Sequence, residues 1–290
     1  MLDQIQQSWL GNYKIYELKH QHTNSWLKVA PERGGIVVGL GLRGEELLYL
    51  NEESFRDPKA NVRGGIPILF PICGQLEKGQ YEWDGNTYAM RNHGFARTMS
   101  WDVTKISLEG NVSITLTLRS NEESKRSYPF DFELRFTYTL DVEGLTIDQQ
   151  YANLSDVPMP MYAGFHPYFR ATNKLVALQT DASAYLDYND LETKPIRSPL
   201  DLSCKESLVL LGAKQNRVTF VQEDIGRDVT ITYDAPFRYI VLWSEAEKPF
   251  ICVEPWMAMT NAFNETKEAL VHVGPGETLT TRIRISSGAI

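Results

Sequence analysis

The chain is short of the residues that most often carry metal, redox or disulfide chemistry. Its 290 residues include three cysteines and five histidines. Cys73, Cys204 and Cys252 lie far apart and form no Cys-x-x-Cys. An odd, sparse set argues against a disulfide framework and a structural zinc site. Beyond the single His20-Gln21-His22 the histidines lie far apart and no His-Glu-x-x-His occurs, so no metal is expected. No apolar run reaches the ~20 residues of a membrane span. Met1 to Leu10 lacks the basic and apolar regions of a secretory leader. The expectation is a soluble, cytoplasmic protein with no membrane partner. Gly-x-Ser-x-Gly and a P-loop are also missing, which removes support for a nucleophile elbow or a phosphate-cradling loop, and the lone Gly39-Leu40-Gly41-Leu42-Arg43-Gly44 is by itself a weak dinucleotide signal. Positive charge is in deficit: 29 Lys and Arg face 37 Asp and Glu, a net charge of -8. An acidic surface repels phosphate backbones, so no nucleic-acid partner is expected.

What remains is an ordinary globular composition, 42% hydrophobic and 23% charged. Period-two alternation dominates it. Phe132, Leu134, Phe136, Tyr138 and Leu140 share one face of a strand, and Glu133, Arg135, Thr137 and Thr139 the other. Asp141 to Gly144 reads as a turn, with Leu145 starting the return strand. Val112 to Leu118, Val229 to Tyr233 and Leu279 to Ile285 alternate in the same way. Helical signals are weak, with one short turn expected at Asn51 to Arg56 and another at Asn264 to Leu270. No linker-like stretch and no fixed-period repeat interrupts the pattern. Residues 1–290 are expected to form one all-β domain, a large antiparallel β-sandwich.

Four segments break the strand grammar. Arg63 to Pro71 holds two glycines and two prolines in nine residues, the mark of a defined loop. Its Arg63 either offers a fork to oxygen acceptors or is simply solvated. In Arg91 to Arg97, His93 sits among Asn92, Gly94 and two arginines. That crowding suggests a polar pocket, although a lone histidine is more often structural. In Gly164 to Arg170, His166 lies among aromatics and before Pro167. It reads as a core histidine or as a general acid, since imidazole titrates near neutrality. In Phe250 to Trp256, Glu254 ends an apolar run. A buried carboxylate needs a partner, and an apolar setting raises its pKa toward that of a general base or acid. Trp243 and Trp256 flank it and present ring faces either to a sugar or to the core.

In these residues the sequence resembles the aldose 1-epimerase family of the galactose mutarotase-like superfamily. The resemblance rests on His93-Gly94, on Gly164 to Phe169, and on Val253 to Trp256 followed by Asn261 to Asn264. It implies a large antiparallel β-sandwich and the interconversion of hexose anomers without a cofactor. It also implies roles: Glu254 and His166 as catalytic carboxylate and histidine, His93 as a second histidine on the sugar, and Arg63 and Arg97 as active-site arginines. Trp243 is a further candidate wall for the sugar. A sugar-binding aspartate is also implied, for which Asp201 and Asp234 both qualify. Arg63-Gly64-Gly65-Ile66-Pro67 and His93 to Arg97 resemble a hexose-6-phosphate branch as well. His166-Pro167-Tyr168 and Glu254-Pro255-Trp256 lean toward free sugars. The partner expected is a small-molecule sugar, and a non-catalytic carbohydrate-binding protein is the alternative. Oligomeric state has no signature in the sequence.

Overall fold

The computed structural model describes residues 4–289. Antiparallel sheets dominate it. One eight-stranded sheet runs in the spatial order Leu178–Gln179, Arg217–Gln222, Arg227–Tyr233, Thr278–Ala289, Gly144–Asn153, Phe132–Leu140, Val112–Arg119 and Asp102–Ser107. The expected alternation appears here as built: Phe132, Leu134, Phe136, Tyr138 and Leu140 are all buried. The turn after them is an Asx type, in which the Glu143 and Gly144 N–H groups donate to Asp141 Oδ1 at 2.8 and 3.1 Å. That turn fixes the register at Leu140 opposite Leu145.

A second sheet carries the functional segments. It runs Glu192–Pro195, Ala184–Asp187, Leu208–Leu211, Tyr239–Trp243, Phe250–Trp256, Gly164–Phe165 and Ile68–Leu69, and Tyr168–Arg170 also pairs with Phe250–Trp256. The two large sheets meet through aromatic side chains. Phe136 lies 5.9 Å from Phe165, and Phe169 lies 4.8 Å from Phe220, centroid to centroid. A five-stranded sheet made from the chain between Gln4 and Glu46 adds Leu18, Leu27, Val29 and Leu40 to the same core. Helix is scarce. Asn51 caps the short helix Glu52–Arg56 by accepting from the Ser54 N–H at 2.7 Å, close to the expected position. The second expected turn comes as the helix Ala262–Glu265 and a 3-10 turn Lys267–Ala269. Among the described residues no helix is long and apolar enough to cross a membrane.

Candidate active site

The strand Phe250–Trp256 is buried on both faces, and the two faces have different jobs. Period two turns Ile251 and Val253 into the main core. It turns Phe250, Cys252, Glu254 and Trp256 the other way. On the neighbouring strand Val241 stands opposite Glu254, and Trp243 opposite Cys252. On the other flank Gly164 pairs with Trp256 and Tyr168 with Cys252. The same register sets His166 opposite Glu254. Between those two pairs the ladder is interrupted, because Pro167 and Pro255 have no N–H to give.

The Arg63–Pro71 segment holds His166 from the other edge. Its Pro67 carbonyl accepts the His166 N–H at 3.1 Å, and its Gly65 carbonyl accepts the Tyr168 N–H at 2.9 Å. Gly65 has φ +67°, and a Cβ there would lie 2.2 Å from the Val37 carbonyl oxygen. Only glycine fits that position. The loop read from its glycines and prolines is therefore a backbone splint for His166.

His93 is held by its own loop. It adopts φ +62°, and its N–H donates to Gly74 O at 2.7 Å. The Gly74 N–H donates to His93 Nδ1 at 3.0 Å. A backbone N–H only donates, so Nδ1 is an acceptor and a neutral ring carries its proton on Nε2. Burial, then His166, Arg97 and Arg63, push the His93 pKa well below the ordinary range. The ring is neutral at physiological pH and acts as an N–H donor.

These loops and strands enclose a cavity of about 430 Å³, within the ~300–1,000 Å³ usual for ligand sites. Arg63, His93, His166, Trp243, Glu254 and Trp256 all line it. His166 Nδ1 lies 3.4 Å from Glu254 Oε1, and the two residues are 5% and 1% exposed. His166 Nδ1 has no hydrogen-bond partner among the described residues. The other carboxylate oxygen, Glu254 Oε2, accepts the Trp256 indole N–H at 3.0 Å. The His166 ring stacks on Tyr168 at 4.6 Å and meets Trp243 edge-on at 5.8 Å, which fixes its plane.

Burial dominates the electrostatics of the pair. It raises the Glu254 pKa well above the ordinary carboxylate range, opposed by the Trp256 N–H and the Arg97 charge. Burial, then Arg97 and Arg63, lowers that of His166. A doubly protonated pair and a fully deprotonated one are both disfavoured near neutrality. The raised carboxyl and the lowered imidazole together favour a single proton on the pair, resting on Glu254.

The remaining expected residues divide. Arg63 reaches the rim, where its Nε donates to Glu245 Oε1 at 3.0 Å and its guanidinium lies over the Trp243 ring at 5.3 Å. Arg97 is not on the cavity surface. It folds back so that Nη2 donates to Asn92 O at 2.8 Å, and burial lowers its pKa to about 10. Its charge still acts on His93, His166 and Glu254 from behind. Asp234 is exposed in the turn after Arg227–Tyr233, in the opposite sheet, and does not line the cavity. Asp201 is also exposed and accepts from the Ser203 N–H and hydroxyl at 2.8 and 2.6 Å. The expected aspartate contact is therefore corrected: the second cavity carboxylate is Glu206, beside Ser207 and Tyr188. These three stand where the strand Ala184–Asp187 ends and its neighbour Leu208–Leu211 begins, joined by the Tyr188 N–H to Ser207 O bond. Their sequence neighbourhood is an ordinary polar loop. The only local hint was Asn189-Asp190, a turn signal that leaves the facing direction open.

An antiparallel β scaffold with a buried histidine–carboxylate pair flooring a polar, aromatic-walled cavity has the fold of solved galactose mutarotase-like proteins. The chain belongs to the aldose 1-epimerase family, whose model matches residues 14–286. The solved structure of the Slr1438 protein from Synechocystis sp. PCC 6803 is similar throughout, with 34% identity, TM-score 0.92, and coverage of 98% of this chain and 99% of that one. A galactose mutarotase related enzyme from Lactobacillus acidophilus shares the fold at TM-score 0.78 and 24% identity, covering 95% of this chain and 97% of that one. Protein LacX of Lactococcus lactis subsp. lactis is 28% identical over 234 residues, 70% of this chain and 76% of its own. A protein of Cenchrus ciliaris named provisionally as a glucose-6-phosphate 1-epimerase is 26% identical over 247 residues, 81% of this chain and 66% of its own.

Proposed function

We propose that this protein interconverts the α and β anomers of an unphosphorylated hexose, with Glu254 and His166 as the proton-transfer pair. One observation carries the reading: two titratable groups of opposite preference sit 3.4 Å apart on the cavity floor. Ring opening must take the proton from the C1 hydroxyl and give one to the ring oxygen. Both oxygens are bonded to C1, so the acid and the base must stand side by side. Neighbouring positions on adjacent strands meet that demand better than groups facing each other across a wide gap.

The steps follow from the single proton on the pair. With that proton on His166, the Glu254 carboxylate takes the C1 hydroxyl proton while the imidazolium protonates the ring oxygen. The C1–O bond to the ring breaks and a free aldehyde remains. Rotation about C1–C2 presents the other carbonyl face, and closure reverses both transfers. Burial alone would leave the proton on Glu254. The Trp256 N–H favours the ionised carboxylate and so draws the pair toward the reactive arrangement, whereas the Arg97 charge favours the carboxylate and opposes the imidazolium. His93 supplies a neutral Nε2–H donor for a sugar oxygen, and Trp243 a ring face for the pyranose.

The lining charges support a free sugar. Arg63 is the cation there, it is already paired with Glu245, and two carboxylates, Glu206 and Glu254, share the wall. A hexose 6-phosphate is the second reading, favoured by the name of the Cenchrus relative and by Arg63 at the rim. Polarimetry of α-D-glucose, α-D-galactose and glucose 6-phosphate separates the two. The proposal expects acceleration of a free sugar above the uncatalysed background. Acceleration of glucose 6-phosphate alone would overturn it.

A further inference from the structure

Cys252 is a buried thiol that the proton-transfer chemistry above does not use. It is 0% exposed, two residues from Glu254 on the same face, and diagonal to His166. One donor atom from each of Cys252, His166 and Glu254 lies within 4.8 Å of the other two. His166 adds the independent sign of an unsatisfied ligand site. Its Nδ1 is buried, lacks a hydrogen-bond partner, and sits 3.4 Å from Glu254 Oε1.

We propose that Cys252, His166 and Glu254 form a site for a borderline transition-metal cation of the zinc class, and that its occupancy switches off proton transfer. The donor set selects the metal. Thiolate and imidazole suit Zn²⁺ and disfavour Mg²⁺ and Ca²⁺, which prefer oxygen ligands alone. Tetrahedral geometry with Zn–S ~2.3 Å and Zn–N ~2.0 Å puts neighbouring donors ~3.5 Å apart. The His166–Glu254 separation already matches that distance, and the thiol lies within 4.8 Å of both. His166 and Glu254 face the cavity, which gives the cation an entry path and leaves a fourth position for water. Binding releases two protons to solvent, the thiol proton of Cys252 and the one held by the His166–Glu254 pair, as sulfur, imidazole and carboxylate bond the metal. Thiolate and carboxylate together then neutralise the dication, which lets the cluster stay buried. The two atoms that handle protons are the two that bind the metal, so cation and sugar turnover exclude each other.

The kinetic half of this inference rests on the function proposed above, and the binding half does not. The experiment titrates metal-free protein with Co²⁺ and records the thiolate-to-cobalt charge-transfer band. Expected is a band that saturates at one equivalent, persists in Cys204→Ser, and is absent from Cys252→Ser and Cys252→Ala. Zn²⁺ should compete the cobalt off and inhibit anomer exchange competitively with sugar. Both Cys252 variants should keep metal-free turnover and lose zinc affinity by at least ~10-fold, the lower end of what supporting residues of metal sites contribute. No band, a band that survives loss of Cys252, or equal zinc affinity in the variants would overturn the site. The cobalt spectrum gives this answer even if the protein accelerates no free sugar.

Discussion

Glu254 shows at one residue how catalysis and stability pull apart. Its carboxyl is 1% exposed, and its only hydrogen bond among the described residues is the Trp256 indole N–H. Burial raises its pKa, so the folded chain holds a proton that the unfolded chain gives up. The stability this provides is full below the ordinary carboxylate pKa and is lost as pH rises toward the native value. Glu254→Gln keeps the shape and ends that loss. Thermal melts should show the variant gaining on the parent protein at neutral and alkaline pH, with the gain vanishing in acid. The same variant should lose at least ~10²-fold in turnover, the lower end for a positioned acid or base. Turnover near the parent level would remove Glu254 from the mechanism. Trp256→Phe isolates the indole N–H from the packing. Hydrogen bonds to charged groups are worth ~1.5–3 kcal/mol, so kcat should fall about tenfold or more while KM stays nearly constant. A raised KM with normal kcat would mean that Trp256 serves the sugar rather than the base.

The strand Phe250–Trp256 extends the argument to an element, because its two faces predict two kinds of mutant. Val253 points into the main core and is fully buried. Val253→Ala should lower unfolding free energy by about 2 kcal/mol and leave kcat unchanged, the reverse of Glu254→Gln. Equal damage to turnover would mean that the two faces are not independent. The element also marks what the sequence could reveal. The alternation of Phe132 to Leu140 was legible because one face is polar. In Phe250–Trp256 both faces are buried, so the period is hidden and Glu254 stands out only as a misfit. Ile36–Leu42 in the five-stranded sheet is obscured in another way. Glycines take its pattern positions because neighbours need the space: a Cβ on Gly41 would lie 2.0 Å from the Trp26 ring. His93, His166 and Arg63 were legible as chemistry displaced from strand grammar. Their convergence was not, since it depends on the Pro67 and Gly65 carbonyls that splint one segment to the next. Glu206 and Asp234 show the limit. Both are carboxylates in polar turns, and only the sheet order puts one on the cavity and the other across the molecule.

At the scale of the whole molecule, charge bears on which sugar the cavity takes. The chain carries a net charge of -8, which opposes the approach of an anion. Salt screens that field beyond ~8 Å under physiological conditions, so selectivity must come from charges at the cavity itself. There the two-arginine clamp that would grip a phosphate is not assembled. Arg97 is turned away with its Nη2 on Asn92 O, and Arg63 is held by Glu245 and the Trp243 ring. A phosphate dianion would have to displace Glu245 and lie near Glu206. Freeing Arg63 should therefore change the preference. In the parent protein inorganic phosphate at millimolar concentration should leave free-sugar exchange unaffected. In Glu245→Gln the guanidinium has no ionised partner, and phosphate should become an inhibitor competitive with sugar. Hydrogen bonds to charged groups are worth ~1.5–3 kcal/mol, so affinity for phosphate should rise roughly tenfold. The pair is part-exposed at the rim, which makes that figure an upper bound. Strong phosphate inhibition of the parent protein, undiminished when Arg63 is replaced by alanine, would show that another group binds the anion and would undo this account of selectivity.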